Sequence, residues 1–256
     1  VIRTIGDPRH RFAEDHLRML RAVRFAANLD YMIDNSTMDA IKENNSCIAA
    51  ISAERIREEL AKLLTRGNAR RGMELLDESG LLSVILPEIS ALKGVEQPPR
   101  FHPEGDVWEH TLRMLAYLPL HDGLADLRLA WSVLMHDAGK AVTRSEDSSG
   151  VHFYGHVQES ANIAGLILDR LKFSRSDRDT VLELISSHMR FMHVQEMRPG
   201  TLKRFLRMPD FNLHLELHRL DCVASHGMLD NHEFCLRKLA ELPVEALNPV
   251  RLLTGN

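Results

Sequence analysis

The hydrophobic residues of the chain recur at the spacing of α-helices over most of its length. Over residues 9–29 this spacing predicts one long helix, with an apolar stripe made by Ala13, Leu17, Leu20 and Ala27. A second long helix is predicted over residues 53–64, with Ser52 as its N-cap and a buried side made by Ile56, Leu60, Leu63 and Leu64. Shorter helices are predicted over residues 35–42 and 69–78.

Proline and glycine interrupt this pattern between residues 87 and 106, and helical spacing then resumes. The helices predicted after the interruption cover residues 107–118, 125–136, 157–171, 177–189, 200–207, 212–225 and 230–240. Residues 145–150 are polar and predict an exposed loop, and no stretch alternates as a strand would. We therefore expect an all-α protein of two helical bundles in series, residues 1–95 and 96–245, with residues 246–256 as the start of a truncated tail.

Charge and composition narrow the class of protein. The 256 residues carry a formal net charge of −4, but residues 1–25 hold six arginines against three acidic residues. Residues 51–72 hold six basic residues against three acidic ones, so the first part of the chain is expected to meet an anionic partner. The three cysteines form no C-x-x-C pair, and no apolar run is long enough to cross a membrane. Both observations predict a cytoplasmic protein with reduced thiols.

The clearest chemical signal is an apolar run that begins at Leu129 and ends in the adjacent pair His136 and Asp137. Ionisable groups at the end of a buried helix need partners, because burying an unpaired charge is costly. A divalent metal would be such a partner, since imidazole and carboxylate are both metal ligands. The alternative is a helix whose C-terminus reaches the solvent, and this run alone leaves both interpretations open.

Three more histidines and an aspartate lie on separate predicted helices, and they are His110, His156, His188 and Asp221. Any one of them is more often a hydrogen-bonded core or surface residue than a ligand. Their order along the chain, with the His136–Asp137 pair after the first histidine, is a sharper signal. Over residues 100–240 this order resembles the HD superfamily of metal-dependent phosphohydrolases.

The HD resemblance implies a metal site and its chemistry. One ion would be held by the residues of the family core, His110, His136, Asp137 and Asp221. A second ion would involve His156 and His188, which match the further histidines of two-metal members. The ion, one of Mg, Mn, Ni, Co, Fe or Zn, would lower the pKa of bound water and neutralise charge on a phosphate ester. The expected catalytic residues are His136, Asp137 and Lys140, the last adding positive charge near the phosphate unless it is an ordinary exposed lysine.

The stretch Gly6–Ala26 resembles the helical neck that follows the catalytic head in bacterial tRNA nucleotidyltransferases and poly(A) polymerases. Residues 14–18 match the E-D-x-x-R motif of that neck. The resemblance implies that Asp15 and Arg18, on one helix face, pair with the base edge of CTP or ATP, with Arg21 one turn further along, near the nucleotide. Residues 54–60 match the next neck motif, where Glu and Arg brace the nucleotide-reading helix. Ordinary charge pairs on a solvated helix are the alternative.

Together the two resemblances imply a function for each part of the chain. Residues 1–95 would select the base of CTP or ATP and bind the 3′ end of tRNA or another RNA. The HD part would act as a phosphatase or a 2′,3′-cyclic phosphodiesterase. The catalytic head, with D-x-D carboxylates on a strand and a glycine-rich phosphate loop, is expected to precede Val1 in a longer protein. Residues 252–255 resemble the start of the tail that follows, and this chain by itself is not expected to add nucleotides.

Two other interpretations stay open on the sequence alone. The chain could be a free-standing HD phosphohydrolase acting on nucleotides, with its basic helices as scaffold. It could also be a binding module whose metal site is structural or empty. The sequence equally leaves open whether the parent protein adds CCA, part of CCA or poly(A), which ester the HD part takes, and the oligomeric state.

Overall fold

The computed structural model describes residues 1–100, 102–148 and 150–241 and confirms an all-α protein. The helices of its first part are α1 (Pro8–Glu14), α2 (Leu17–Asn28), α3 (Asn35–Asn44), a 3₁₀ helix (Asn45–Ala50), α4 (Ala53–Thr65), α5 (Ala69–Glu78), α6 (Leu81–Ile85) and α7 (Pro87–Ser90). The predicted tail, residues 246–256, lies outside the described residues. No helix among the described residues is both long enough and apolar enough to span a membrane.

The single helix predicted over residues 9–29 is wrong, because the chain breaks between α1 and α2. Asp15 adopts an extended conformation, with φ −155° and ψ 103°, and ends α1. Its Oδ1 accepts a hydrogen bond of 3.1 Å from the backbone N–H of Leu17, the first residue of α2. An aspartate side chain that bonds a nearby backbone N–H competes with the helical ladder, and apolar spacing does not register that competition.

The second part contains most of the helices predicted for it, with shifts of a few residues at their ends. They are α8 (Val107–Ala116), α9 (Leu127–Met135), α10 (Lys140–Thr143), α11 (His156–Arg170), α12 (Arg175–Ser187), a 3₁₀ helix (His188–Glu196), α13 (Pro199–Leu206), α14 (Phe211–Ala224) and α15 (Asp230–Glu241). Asp106, Asp126 and Ser174 cap α8, α9 and α12 by accepting hydrogen bonds from backbone N–H groups of the first turn.

The polar loop predicted at residues 145–150 is instead part of a small antiparallel hairpin. Its strands are β1 (Ser145–Asp147) and β2 (Gly150–His152), with Ser145 opposite His152. Neither strand buries a hydrophobic face, so the sequence carries no alternating pattern that would predict one. The hairpin lies beside the functional residues described below.

One hydrophobic core runs through both parts of the chain. Helix α9 packs against α8, α11, α12 and α14 of the second part and against α4 of the first. Trp131 of α9 is fully buried and meets the ring of Phe173 edge-on, with 5.1 Å between ring centroids. A separate, smaller cluster forms around Phe191 and Phe205. The end of α9 is therefore held from several sides, and this is where the His136–Asp137 pair lies.

Candidate metal centre

His136 and Asp137 lie at the buried end of α9. They are 1% and 3% exposed, which excludes the alternative of a helix end that reaches solvent. His136 is the C-cap of α9, and its Nδ1 lies 2.9 Å from the backbone oxygen of Val133. Two ionisable side chains thus lie in the interior with very little exposed surface, and they require charged or polar partners.

The structure brings the other four predicted ligands to this pair. His110 comes from α8, His156 opens α11, His188 follows α12 and Asp221 lies on α14. Their ligand atoms form two groups in which all atoms lie within 4.8 Å of one another, namely His110, His136 and Asp221, and Asp137, His156 and His188. In the second group Asp137 Oδ1 is 3.7 Å from His156 Nε2 and 4.0 Å from His188 Nε2.

The histidines are oriented with Nε2 towards this cluster. The Nδ1 atoms of His136, His156 and His188 lie 2.9, 2.8 and 2.7 Å from backbone carbonyl oxygens, which accept their protons. The Nε2 atoms of His110, His136 and His156 are buried. Those of His110 and His136 face Asp221 Oδ1 and Asp137 Oδ2 at 3.2 Å, and that of His156 forms no hydrogen bond among the described residues. Buried polar atoms without partners are rare, and this orientation is the one that metal-ligating histidines adopt. The donor set therefore fits a divalent cation.

The electrostatics of the cluster also suit a cation. Burial alone would raise the pKa of Asp137, but neighbouring His136 and Lys140 outweigh burial and hold that pKa well below its usual value. The pKa of Asp221 is likewise held far below its usual value by His110, against the effect of burial. Burial lowers the pKa of His188 to about 4, so its neutral ring can donate a lone pair.

His110 differs from the other histidines because carboxylates surround it. Burial alone would lower its pKa, but Asp221 and Glu104 together raise that pKa to about 9. Its Nε2 lies 3.2 Å from Asp221 Oδ1. Ligation by this ring would require a cation to replace the proton on Nε2, so ion binding at His110 would release a proton.

Asp15 and Arg18, predicted to pair with a nucleotide base, and Arg21, predicted to lie near the nucleotide, are at α1 and α2 in the first part of the chain. Because Asp15 is outside the helix, the prediction that it shares a helix face with Arg18 is wrong. Arg55 of the second motif lies 3.0 Å from Asp15 Oδ2, and Arg18 lies 2.5 Å from Glu14. Arg21 is 3.4 Å from the buried Glu59.

Comparisons with known proteins find matches in both parts of the chain. Residues 30–93 match the family described as "Probable RNA and SrmB- binding site of polymerase A", and residues 107–221 match the HD domain. The chain is 37% identical over 196 residues to the multifunctional CCA protein of Halorhodospira halophila, covering 75% of this chain and 46% of that protein. It is 35% identical over 250 residues to the CC-adding tRNA nucleotidyltransferase of Thermus thermophilus, covering 94% and 57%. The chain belongs to the tRNA nucleotidyltransferase and poly(A) polymerase family.

This family member spans about half the length of the curated relatives it matches. Among solved structures, the CCA-adding enzyme of Bacillus stearothermophilus in complex with CTP matches with a TM-score of 0.58 and 27% identity, covering 95% of this chain and 51% of that one. The CCA-adding enzyme of Thermotoga maritima complexed with tRNA matches with a TM-score of 0.50, 15% identity and coverage of 97% and 55%, a likeness of fold alone.

Lys140 of the HD part is buried, so the alternative of an ordinary exposed lysine is wrong. Its Nζ lies 2.7 Å from Asp137 Oδ2 and donates a hydrogen bond of 2.7 Å to Gln97 Oε1. Gly139, the residue before Lys140, permits the close approach of this turn to α11, because a Cβ there would collide with the backbone at His156 and Ser160. Gln97 lies in the proline-rich segment, and no local pattern indicated its role.

Glu104 of the HD part is a buried carboxylate that the sequence did not single out. Its Oε1 lies 2.7 Å from His110 Nδ1 and 2.9 Å from His102 Nδ1. His110 is thus anchored by a carboxylate, where the other three cluster histidines are anchored by backbone carbonyls. An acidic residue in a proline- and glycine-rich segment is ordinarily solvated, so only its burial reveals the contact.

A cavity of about 560 Å³ opens onto the cluster. Asp137, His156 and His188 form part of its wall, together with side chains from the hairpin segment and from the 3₁₀ helix after α12. The volume is within the range of small-molecule sites, about 300–1,000 Å³. A phosphate ester could therefore reach the metal ligands from this side.

Proposed function

We propose that the HD part of this chain is a metal-dependent phosphohydrolase within a tRNA nucleotidyltransferase or poly(A) polymerase. The observation that supports this proposal most is the convergence of four histidines and two aspartates from five parts of the chain, with the Nε2 atoms of His110, His136 and His156 buried. His156 Nε2 forms no hydrogen bond among the described residues, since Asp137 Oδ1 is 3.7 Å away, and an ordinary hydrogen-bonded core histidine would not leave this atom without a partner.

Each group of ligands has its own task in this proposal. His110, His136 and Asp221 hold one divalent ion, and Asp137, His156 and His188 hold a second. A divalent ion there lowers the pKa of water and neutralises phosphate charge. Asp137 Oδ2 faces Lys140 while its Oδ1 faces His156 and His188. Lys140 is thus kept at the edge of the cluster, where its charge can meet a phosphate oxygen.

The substrate class we propose is a nucleotide phosphate ester, hydrolysed in the manner of a phosphatase or a 2′,3′-cyclic phosphodiesterase. The cavity of about 560 Å³ beside the cluster has room for one mononucleotide. A free-standing HD phosphohydrolase remains the alternative. The match of residues 30–93 to a polymerase-associated family favours the larger enzyme.

Removal of metal tests this function directly. After chelation with EDTA, the purified chain is expected to lose hydrolysis of 2′,3′-cyclic AMP, and added Mn²⁺ or Ni²⁺ is expected to restore it, because the ligand set needs the ion to activate water. The measurement is phosphate-ester turnover followed by chromatography. No turnover in any metal, with ions nevertheless bound, would instead identify the HD part as a structural metal site in a binding module.

We further propose that the first part of the chain is a neck that reads the base of CTP or ATP and binds the 3′ end of tRNA or another RNA. Asp15 and Arg18 are the proposed base-contacting residues, with Arg21 near the nucleotide. The bond from Arg55 to Asp15 supports the bracing role expected of the second motif. The relatives are CCA-adding and CC-adding enzymes, and a solved relative contains CTP.

The neck proposal predicts that Arg18→Ala weakens binding of both CTP and ATP roughly tenfold or more in the full-length protein, because the guanidinium donors to the base edge are lost. The measurement is nucleotide affinity by equilibrium dialysis. Arg11→Ala is the matched control, since Arg11 also pairs with Glu14, at 2.7 Å, and should leave both affinities unchanged. The proposal would be contradicted if the Arg18 variant bound CTP and ATP as tightly as the parent does.

A further inference from the structure

The cavity beside the metal cluster has a wall that phosphate chemistry does not require. Besides the ligands, the wall contains apolar and aromatic side chains, with Phe153, Tyr154, Met189 and Met192 among them. Apolar surface contributes nothing to holding a phosphate or an ion. It is suited instead to contact an apolar or aromatic part of the molecule that carries the phosphate.

Two of these side chains are exposed to a degree that is unusual for their type. Tyr154 is 75% exposed and Met192 is 57% exposed. Tyr154 follows β2, whereas Met192 lies on the 3₁₀ helix His188–Glu196, so they reach the cavity from different elements. Large exposed apolar side chains that line one cavity indicate a binding surface more than scattered surface hydrophobes do.

The ring of Tyr154 is held in a defined orientation. It stacks on the ring of His152, with 5.1 Å between centroids and 13° between planes. His152 is itself held across the hairpin, with Nε2 at 3.1 Å from Asp147 Oδ1. One face of the tyrosine is thus covered, and the rest of the ring is open to a ligand that continues the stack. A flat aromatic ligand fits such a platform, because offset stacking is the favoured geometry.

We propose that Tyr154 and Met192 bind the nucleobase of a mononucleotide whose phosphate lies at the cluster of Asp137, His156 and His188. This inference rests on the phosphohydrolase function proposed above and specifies its substrate as a base-bearing ester. The binding mode has little preference among bases, because every base has a π-face. Selection by hydrogen bonds to the base edge is not expected here, in contrast to the role proposed for the neck.

The test compares a nucleotide with the same phosphate lacking its base. AMP and ribose 5-phosphate are titrated against the full chain by proton NMR without added metal, so that no turnover occurs. The parent is expected to bind AMP roughly tenfold or more tightly than ribose 5-phosphate. Tyr154→Ala is expected to remove that difference, and Tyr154→Phe is expected to keep it because the stacking face remains. Tyr117→Ala is the matched control, since Tyr117 is 50% exposed and does not line this cavity.

Two results would overturn the base site. One is equal affinity of the parent for AMP and ribose 5-phosphate, and the other is an unchanged AMP preference in Tyr154→Ala. Failure of the phosphohydrolase proposal gives a different pattern, in which the AMP preference is present and depends on Tyr154 while no ester is hydrolysed with Mn²⁺. The two proposals can therefore be separated.

Discussion

Asp137→Asn is expected to reduce metal-dependent ester hydrolysis by the chain severely and to remove binding of at least one ion. Asp137 is the one carboxylate of its ligand group, with Oδ1 facing His156 and His188. Asparagine keeps the shape of the side chain but removes the negative charge that a divalent ion needs. The hydrolysis rate with Mn²⁺ should fall by about a hundredfold or more, comparable to the loss of other groups that stabilise transition-state charge.

The same substitution leaves Lys140 buried opposite a neutral amide. Breaking a buried ion pair by removing one partner costs about 3–5 kcal/mol, so the unfolding free energy should fall by an amount of that order. Urea denaturation measures the stability, and metal analysis of the dialysed protein measures the stoichiometry. Asp169→Asn is the matched control, because Asp169 pairs with Arg178 on the surface and should change neither quantity. An Asn variant with the full complement of ions and undiminished turnover would refute the ligand assignment.

Glu104→Gln is expected to weaken metal binding roughly 10–100-fold, the usual effect of losing a residue that orients a ligand. Glu104 acts through His110, because its Oε1 is 2.7 Å from His110 Nδ1 and is positioned to accept that ring proton. The hydrogen bond directs Nε2 of His110 towards the cluster, and the negative charge of Glu104 makes that nitrogen a better lone-pair donor to a metal ion. The amide oxygen of glutamine can still accept this hydrogen bond, but glutamine carries no negative charge. Its amide can also rotate and present the NH₂ group to the ring, where it cannot accept the proton.

Competition with a chromogenic chelator measures this affinity without reference to turnover. Glu109→Gln is the control, since Glu109 lies on the same helix one residue from His110 but pairs with Arg70 and Arg113 instead. A structural role alone would lower the unfolding free energy while leaving the affinity of the folded protein unchanged. That result would exclude Glu104 as a positioning residue.

Helix identities were predictable along most of the chain because apolar spacing at a period of 3.6 residues is a local property. Ala69–Glu78 has the predicted bounds, and α14 and α15 differ from prediction by about one residue. The exceptions are the break at Asp15 and the hairpin around Ser145–His152. At Asp15, a side-chain hydrogen bond to the backbone N–H of Leu17 replaces the helical backbone pattern. In the hairpin, the strands form without a buried hydrophobic face.

The sequence by itself determined which residues could form the site, because their order along the chain is a recognisable pattern. These residues are His110, His136, Asp137, His156, His188 and Asp221. Only the tertiary structure decided that they converge, that Lys140 is buried against Gln97, and that Glu104 anchors His110. It also decided that Asp15 pairs with Arg55. The physical reason is that burial and charge pairing depend on residues far apart in the chain, whereas helical spacing depends only on neighbours.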